Sequence, residues 1–229
     1  MGRSLRITLF VLLLLVVLIF GLTVGRQVFL SSSEPAPAPD LSQYNTYVYD
    51  QPRELAEFTL TNEQGETVTR DSLKGRWTFV FVGYTNCPDI CPAAMANLRR
   101  TNSLLPAELP RPDYLLVTAD PEHDTPEKLK AYTGFFGENF HGLTGDLDIL
   151  REVAKSVSAV FVHREVDGQL LVDHSGHFAL LNPEGKLQAL IQPPHKPEEL
   201  VQAYERIYQW AKANDPGLRE PEGLGPRSH

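Results

Sequence analysis

The chain has 229 residues, room for one ordinary domain with appendages, and carries a formal net charge of -8. That charge, with no cluster of Lys and Arg, excludes a nucleic-acid binder, because phosphate neutralisation needs concentrated positive charge. Only two cysteines occur, so this is no disulfide-stapled mini-protein: the fold must stand on buried apolar surface, and the cysteines are either chemistry or one local bridge.

Ile7 to Val24 is an unbroken apolar or near-apolar run without a charge, at ~18 residues long enough to span a bilayer. A cleaved signal peptide is the competing reading, but its apolar region is usually about 7 to 15 residues. The one candidate cleavage site, Ser31 to Ser33, lies far downstream. Arg3 and Arg6 precede the run and Arg26 alone follows it closely, which orients the chain N-in, C-out by the positive-inside rule. We expect an uncleaved single-pass anchor. No cysteine follows the run to carry a lipid, and the Arg- and Ser-rich amphipathic character of an organelle transit peptide is missing. The expected location is therefore a bacterial inner membrane, with the soluble domain in the periplasm.

Ser31 to Asp40, SSSEPAPAPD, is a spacer whose alternating Pro and Ala stay extended. At the other end, Pro216 to His229 is rich in Pro, Gly and charge and has too few apolar residues to offset ordering. The expected organisation is an anchor over 1–30, a linker over 31–44, a domain over 45–213 and a flexible tail over 214–229.

Within the domain, β-rich runs alternate with helical ones, which predicts an α/β fold with a central sheet flanked by helices. Trp77 to Gly83, WTFVFVG, reads as a strand buried on both faces, and Tyr114 to Thr118 reads the same way. Helices are predicted over Pro92 to Leu105, where Ala94, Met95 and Leu98 share a face, and over Pro126 to Phe136 and Leu147 to Val157. Phe161 to Val172 reads as a hairpin around Asp167-Gly168, a dipeptide suited to a type I′ turn. A second hairpin runs from Phe178 to Gln192. Pro197 to Ala211 closes the domain as a helix with a stripe of Leu200, Val201, Tyr204, Ile207 and Tyr208.

The informative segment is Gly83 to Pro92, GYTNCPDICP, which leaves the buried strand and enters a helix. Open α/β folds place their sites at such a strand end. Pro92 suits the first helical turn, where its missing N–H has no partner. Cys91 then falls at or beside the N-cap, where the helix dipole favours a thiolate, so a depressed pKa is expected. Cys87 is four residues earlier, within reach of the same metal ion or of a disulfide with Cys91. Taken alone, C-x-x-x-C also fits a surface disulfide or two inert thiols. The strand–loop–helix context favours a redox or metal site.

Two thiolates select a soft ion, copper(I) or zinc, and two cysteines alone cannot hold an iron–sulfur cluster. A third ligand is then required, and His174 in LLVDHSGHF is the best placed of seven histidines, because it ends a strand-like run beside Ser175-Gly176. His177 is second, since a period of two puts it on the opposite face unless Gly176 makes a bulge. Asp124, before Thr125-Pro126 and followed by Glu127, reads as a helix N-cap.

Three segments together resemble the Sco/SenC family of copper chaperones for cytochrome c oxidase assembly: KGRWTFVFVGYTNCPDICP from Lys74, TADPEHDTPEKLKAY from Thr118 and LVDHSGHFALLNPEGKL from Leu171. The resemblance runs from about Phe58 to Tyr208. It implies a thioredoxin-like fold tethered by one N-terminal membrane helix, and one copper ion per chain held by Cys87, Cys91 and His174. It also places Asp120 near the metal, with His177 as a departure from the family pattern and a further candidate beside the site. The function implied is a metallochaperone, not an enzyme, that delivers copper to the binuclear centre of oxidase subunit II or another copper-receiving thiol protein, or keeps that centre's cysteines reduced. The rivals are a thiol-disulfide oxidoreductase cycling a Cys87–Cys91 disulfide and a copper or redox sensor. A peroxidase fits less well, because the cysteine loop carries no obvious peroxide-activating arginine, which leaves Arg99 and Arg100 as the candidates for that role.

Overall fold

The computed structural model describes residues 2–30, 36–166 and 169–214. It divides into two compact units, Met1–Ala36 and Pro37–His229. In the first, a helix α1 (Arg3–Leu30) carries the apolar run, and Arg6–Thr23 is long and apolar enough to cross a membrane. Ser31 to Pro35 of the expected spacer, the Asp167-Gly168 turn and the tail beyond Asn214 lie outside the described residues.

The second unit is built on ten strands: β1 (Thr46–Arg53), β2 (Thr59–Asn62), β3 (Thr67–Thr69), β4 (Thr78–Gly83), β5 (Asp113–Thr118), β6 (Phe140–Thr144), β7 (Phe161–Val166), β8 (Gln169–His174), β9 (Phe178–Leu181) and β10 (Leu187–Ile191). Four helices accompany them: α2 (Ile90–Leu104), α3 (Pro126–Gly134), α4 (Leu147–Ser156) and α5 (Pro197–Asn214). Eight strands form one mixed sheet in the order β1-β10-β9-β4-β5-β6-β2-β3. At its centre β4, β5 and β6 run parallel, which requires crossover connections; α2 and α3 supply them.

All six residues of β4 are buried, as its continuous apolar run demands of a strand covered on both faces. On α2, Cys91, Ala94, Met95, Leu98 and Thr101 are buried, so one helical stripe faces the core, and α2 packs on α5. On α5, Leu200, Ala203, Tyr204, Ile207 and Ala211 are buried, while Val201 and Tyr208 lie at the margin of the core. The Tyr204 ring meets Trp77 edge-on with centroids 5.9 Å apart. Each such buried large side chain contributes about 1.5–3 kcal/mol. The central strands and their crossover helices are therefore the rigid part of the domain.

The β7–β8 pair forms a separate two-stranded ribbon, closing with Val166 opposite Gln169 and bringing His174 opposite Phe161. Its far end is sewn down by the Ser175 N–H donating to the Val160 carbonyl at 2.9 Å and the Val160 N–H donating to Ser175 Oγ at 3.0 Å. The His163 imidazole donates to the Ala119 carbonyl at 2.6 Å, tying the ribbon to the end of β5. The ribbon thus delivers His174 to the carboxyl end of the central strands.

Candidate metal centre

Cys87 lies in the loop after β4, Cys91 in the first turn of α2 and His174 at the last position of β8. One donor atom from each comes within 4.8 Å of the other two, the one such group of metal-binding side chains among the described residues. Cys91 Sγ is 3.2 Å from His174 Nε2, and the Cys91 peptide N–H points at Cys87 Sγ at 3.4 Å. His174 Nδ1 is 3.1 Å from the Ser175 carbonyl, which can only accept. Nδ1 therefore carries the proton, and the lone pair sits on Nε2, facing the sulfurs. A fixed tautomer of this kind suits a metal-binding imidazole, and the set of two soft sulfurs and one imidazole suits copper(I) or zinc.

The helix starts earlier than Pro92. Asp89 is the N-cap and Ile90 the first residue of α2; Pro92 is third, and the first intrahelical donor is Ala93, bonding to the Asp89 carbonyl. Pro92 therefore costs no hydrogen bond. Cys91 is fully buried, and this overturns the expected depressed pKa. Burial pushes the Cys91 thiol far up, the nearby Cys87 and Asp124 push it further, and the Tyr84 peptide N–H opposes the rise only in part. Desolvation outweighs the helix terminus because the thiolate loses its hydration altogether. Burial likewise holds the His174 imidazole below its usual value, so it is neutral and free to bind a cation at pH 7.

Gly83 makes room for this arrangement. A Cβ there would lie 2.9 Å from Cys91 Sγ and 2.9 Å from Phe81 Cε1, inside contact distance. The Phe81 ring stands edge-on to His174 with centroids 5.5 Å apart, giving the imidazole an apolar wall.

His177 and Asp120 are directed elsewhere. His177 is buried and bonds through Nε2 to the Val157 carbonyl at 3.1 Å. The period-two expectation does not apply to it, because β8 ends at His174 and His177 belongs to the connection before β9. The Asp120 carboxylate meets His123 Nδ1 at 2.9 Å. Asp124 is not the N-cap of α3 either: Thr125 is, its hydroxyl accepting from the Lys128 N–H. The carboxylate of Asp124 instead accepts from the Thr85 N–H at 3.0 Å and the Thr118 hydroxyl at 2.6 Å, so Asp124 rather than Asp120 grips the cysteine loop. Arg99 bonds the Phe135 carbonyl and lies over its ring.

A three-stranded parallel core with antiparallel additions, crossover helices and a dithiol at the end of the central strand defines a thioredoxin-like domain. The chain belongs to the SCO1/SenC family, which it matches over residues 48–209. It is 36% identical over 169 residues to a protein of Stutzerimonas stutzeri provisionally named for copper binding, covering 73% of this chain and 83% of that one. Among solved structures it resembles Arabidopsis thaliana ScoI with copper bound, at a TM-score of 0.63 and 29% identity, over 67% of this chain and 98% of that chain. It also resembles BsSco, described as a Sco-family cytochrome c oxidase assembly protein with a disulfide switch, at a TM-score of 0.56 and 26% identity over 69% and 95% of the two chains.

Proposed function

We propose that this protein is a membrane-anchored metallochaperone that binds one copper ion through Cys87, Cys91 and His174 and delivers it during cytochrome c oxidase assembly. The observation that carries the reading is the meeting of two sulfurs and one imidazole within 4.8 Å, in a chain whose family relatives include a copper-bound structure. Copper is cargo here. Three protein donors leave the ion open to an incoming ligand; a thiolate of the recipient enters, the ion is shared, and the donor sulfurs then leave. No general acid or base is needed. The recipient we favour is the binuclear copper centre of oxidase subunit II, and the α1 helix would hold the domain at the outer face of the inner membrane.

One observation favours a second duty. The Cys91 N–H rests on Cys87 Sγ, the two sulfurs are neighbours, and both cysteines are free; a relative is described with a disulfide switch. The pair could pass two electrons and two protons to a recipient's disulfide, becoming a Cys87–Cys91 disulfide as the recipient becomes a dithiol.

The deciding experiment is anaerobic copper(I) titration of the reduced full chain in detergent against a chromophoric chelator. One tightly held ion per chain, lost in Cys87→Ser and in Cys91→Ser, is expected. Full affinity in both variants would refute the site.

A further inference from the structure

Residues 175–177 join the end of β8 to β9 and include the Ser175 carbonyl that fixes the His174 tautomer. On one side of this connection the Ser175 N–H donates to the Val160 carbonyl at 2.9 Å. On the other, His177 Nε2 donates to the Val157 carbonyl at 3.1 Å. Gly176 lies between them, the most permissive residue type in backbone conformation, and its carbonyl meets His195 Nε2 at 2.7 Å. A carbonyl can only accept, so His195 carries its proton on Nε2. Its Nδ1 is buried and has no hydrogen-bond partner among the described residues, and burial holds the imidazole below its usual pKa, so the ring is a neutral donor at pH 7. That ring is stacked on Phe178, with centroids 3.8 Å apart and planes at 23°. Phe178 stands edge-on to Phe81 at 5.5 Å, and Phe81 stands edge-on to His174 at the same spacing of 5.5 Å. His195 itself comes from the connection between β10 and α5, so it reaches the β8–β9 connection from a separate part of the chain.

We infer that His195 is a positioning residue for the copper site: its Nε2–H holds the Gly176 carbonyl, and through that glycine it sets the Ser175 carbonyl that keeps the His174 proton on Nδ1 and the lone pair on Nε2. The inference rests on the copper-binding reading above. The Ser175 carbonyl, 3.1 Å from His174 Nδ1, can turn only by rotation about the backbone bonds of Ser175 and Gly176. Ser175 is pinned at its N–H and at its hydroxyl, both to Val160. A glycine leaves the other side free unless its own carbonyl is held, and His195 is the group that holds it. Without that donor the Ser175 carbonyl can swing away, and a neutral imidazole then shares its proton between both nitrogens. An His174 protonated on Nε2 points an N–H, not a lone pair, at the Cys91 sulfur 3.2 Å away, and cannot take the ion from that side. Outer hydrogen-bond partners of metal ligands typically carry 10–100-fold in metal affinity; His195 acts one residue beyond such a partner, which places it at the lower end.

The test uses the reduced full chain in detergent with isotope-labelled histidine, comparing wild type, His195→Phe and His195→Gln. Phenylalanine keeps a ring on Phe178 and removes the donor; glutamine removes the ring and offers an amide N–H at the reach of Nε2. Long-range nitrogen–proton NMR correlation on the apo protein reads each tautomer directly, with the His174 signals assigned by their loss in His174→Ala. Wild type is expected to carry the proton on Nδ1 of His174 and on Nε2 of His195. In His195→Phe the His174 signals should move to a mixture of tautomers, and copper(I) affinity should fall about tenfold. His195→Gln should keep the wild-type His174 tautomer and recover most of the affinity, even where its melting temperature is the lower of the two. A role in packing alone predicts the reverse order, because affinity would then follow the ring. Wild-type tautomer and affinity in His195→Phe, or equal losses of affinity in both variants, overturns the inference and leaves the copper site standing. If His195→Phe does not fold, the wild-type spectrum decides: a proton on Nε2 of His174, or on Nδ1 of His195, at pH 7 overturns it. The tautomers are read without metal, so failure of the wild type to bind copper removes the reading beneath and is not mistaken for failure of the clamp.

Discussion

Asp124 and Thr85 are joined twice: the Thr85 peptide N–H and hydroxyl both donate to the Asp124 carboxylate, at 3.0 and 2.5 Å. The carboxylate is fully buried and takes a third hydrogen bond from Thr118, while Lys128 stands 3.9 Å away and donates to Asn86 in the same loop. The start of α3 thereby holds the residues just before Cys87. The contact is both a packing feature and the scaffold of the dithiol.

Replacing Asp124 with Ala leaves the Thr85 N–H and two hydroxyls without an acceptor in a dry site. Hydrogen bonds to a charged group contribute about 1.5–3 kcal/mol each, and the losses are not additive, so a loss of about 3 kcal/mol or more in urea unfolding of the apo protein is expected. Thr85→Ala, which removes one donor and leaves the carboxylate served by the others, should cost about 1–2 kcal/mol. Equal and negligible costs for both would show that the loop does not depend on this carboxylate.

Gly83→Ala tests the space beside the sulfur. The added methyl would sit 2.9 Å from Cys91 Sγ on a strand buried on both faces, and overpacking of this kind typically costs about 1–3 kcal/mol. Cys91 must move to relieve it, so copper(I) affinity should fall along with stability. Gly134→Ala is the control, because nothing lies within 4 Å of a Cβ there; its melting temperature and copper affinity should hold at or slightly above the wild-type values.

The features legible in the sequence are those whose signals are local. WTFVFVG reads as a doubly covered strand, the stripes of α2 and α5 read as core faces, and the cysteine loop between a strand and a helix reads as a site. The strands β1, β2, β3 and β6 were not legible, because they are short or mixed in polarity and are recruited by pairing with partners distant in sequence. The raised pKa of Cys91 is not legible for a related reason: position at a helix start is visible in the sequence, but the packing that buries the sulfur is not. Asp124 and Thr125 are both good caps, and only the contact to Thr85, 39 residues away, assigns them different work.

Copper binding should strengthen as pH rises. Burial raises the Cys91 pKa, so the apo thiol is protonated at neutral pH and the metal must displace that proton. Below neutrality His174 contributes the same sign: it stays neutral to a lower pH than an ordinary histidine because burial depresses its pKa, and affinity then falls further once it takes up a proton. Apparent copper(I) affinity measured from about pH 5.5 to 8.5 should therefore increase throughout, with a steeper dependence in wild type than in Cys91→Ser. A flat profile would mean that Cys91 is already ionised. The apo fold has the opposite dependence, since a thiol whose folded pKa is raised stabilises the protein below the unfolded thiol's pKa of about 8.5 and loses that contribution as pH rises above it.

The apolar helix predicts a definite topology. Arg6–Thr23 passes as a membrane span by length and composition, so an enzyme reporter fused after Asp40 should be active only on the periplasmic side, and the full chain should stay in the membrane fraction through alkaline washing. Recovery of a soluble protein whose first residue lies near Ser31 would identify the run as a cleaved signal.

His174→Ala separates copper holding from disulfide exchange, because the two tasks place different demands on the same three residues. Exchange needs an attacking thiolate and a second sulfur to resolve the mixed disulfide, and Cys87 and Cys91 supply both. Holding copper needs the Nε2 lone pair that stands 3.2 Å from Cys91 Sγ as well. The variant should therefore form and reduce its Cys87–Cys91 disulfide, measured by thiol labelling in glutathione buffers, with little change in midpoint. Its copper(I) affinity should fall by more than the 10–100-fold typical of losing an outer hydrogen-bond partner, since a ligand itself is gone. In cells, oxidase assembly should fail at limiting copper and recover in part when copper is added, whereas Cys87→Ser and Cys91→Ser should fail at either level. Normal assembly by His174→Ala at limiting copper, with both cysteine variants inactive, would replace the chaperone reading by the reductase one. His177→Ala run alongside should keep wild-type copper affinity, because its imidazole is committed to the Val157 carbonyl; if it loses copper and His174→Ala does not, the ligand has been misassigned.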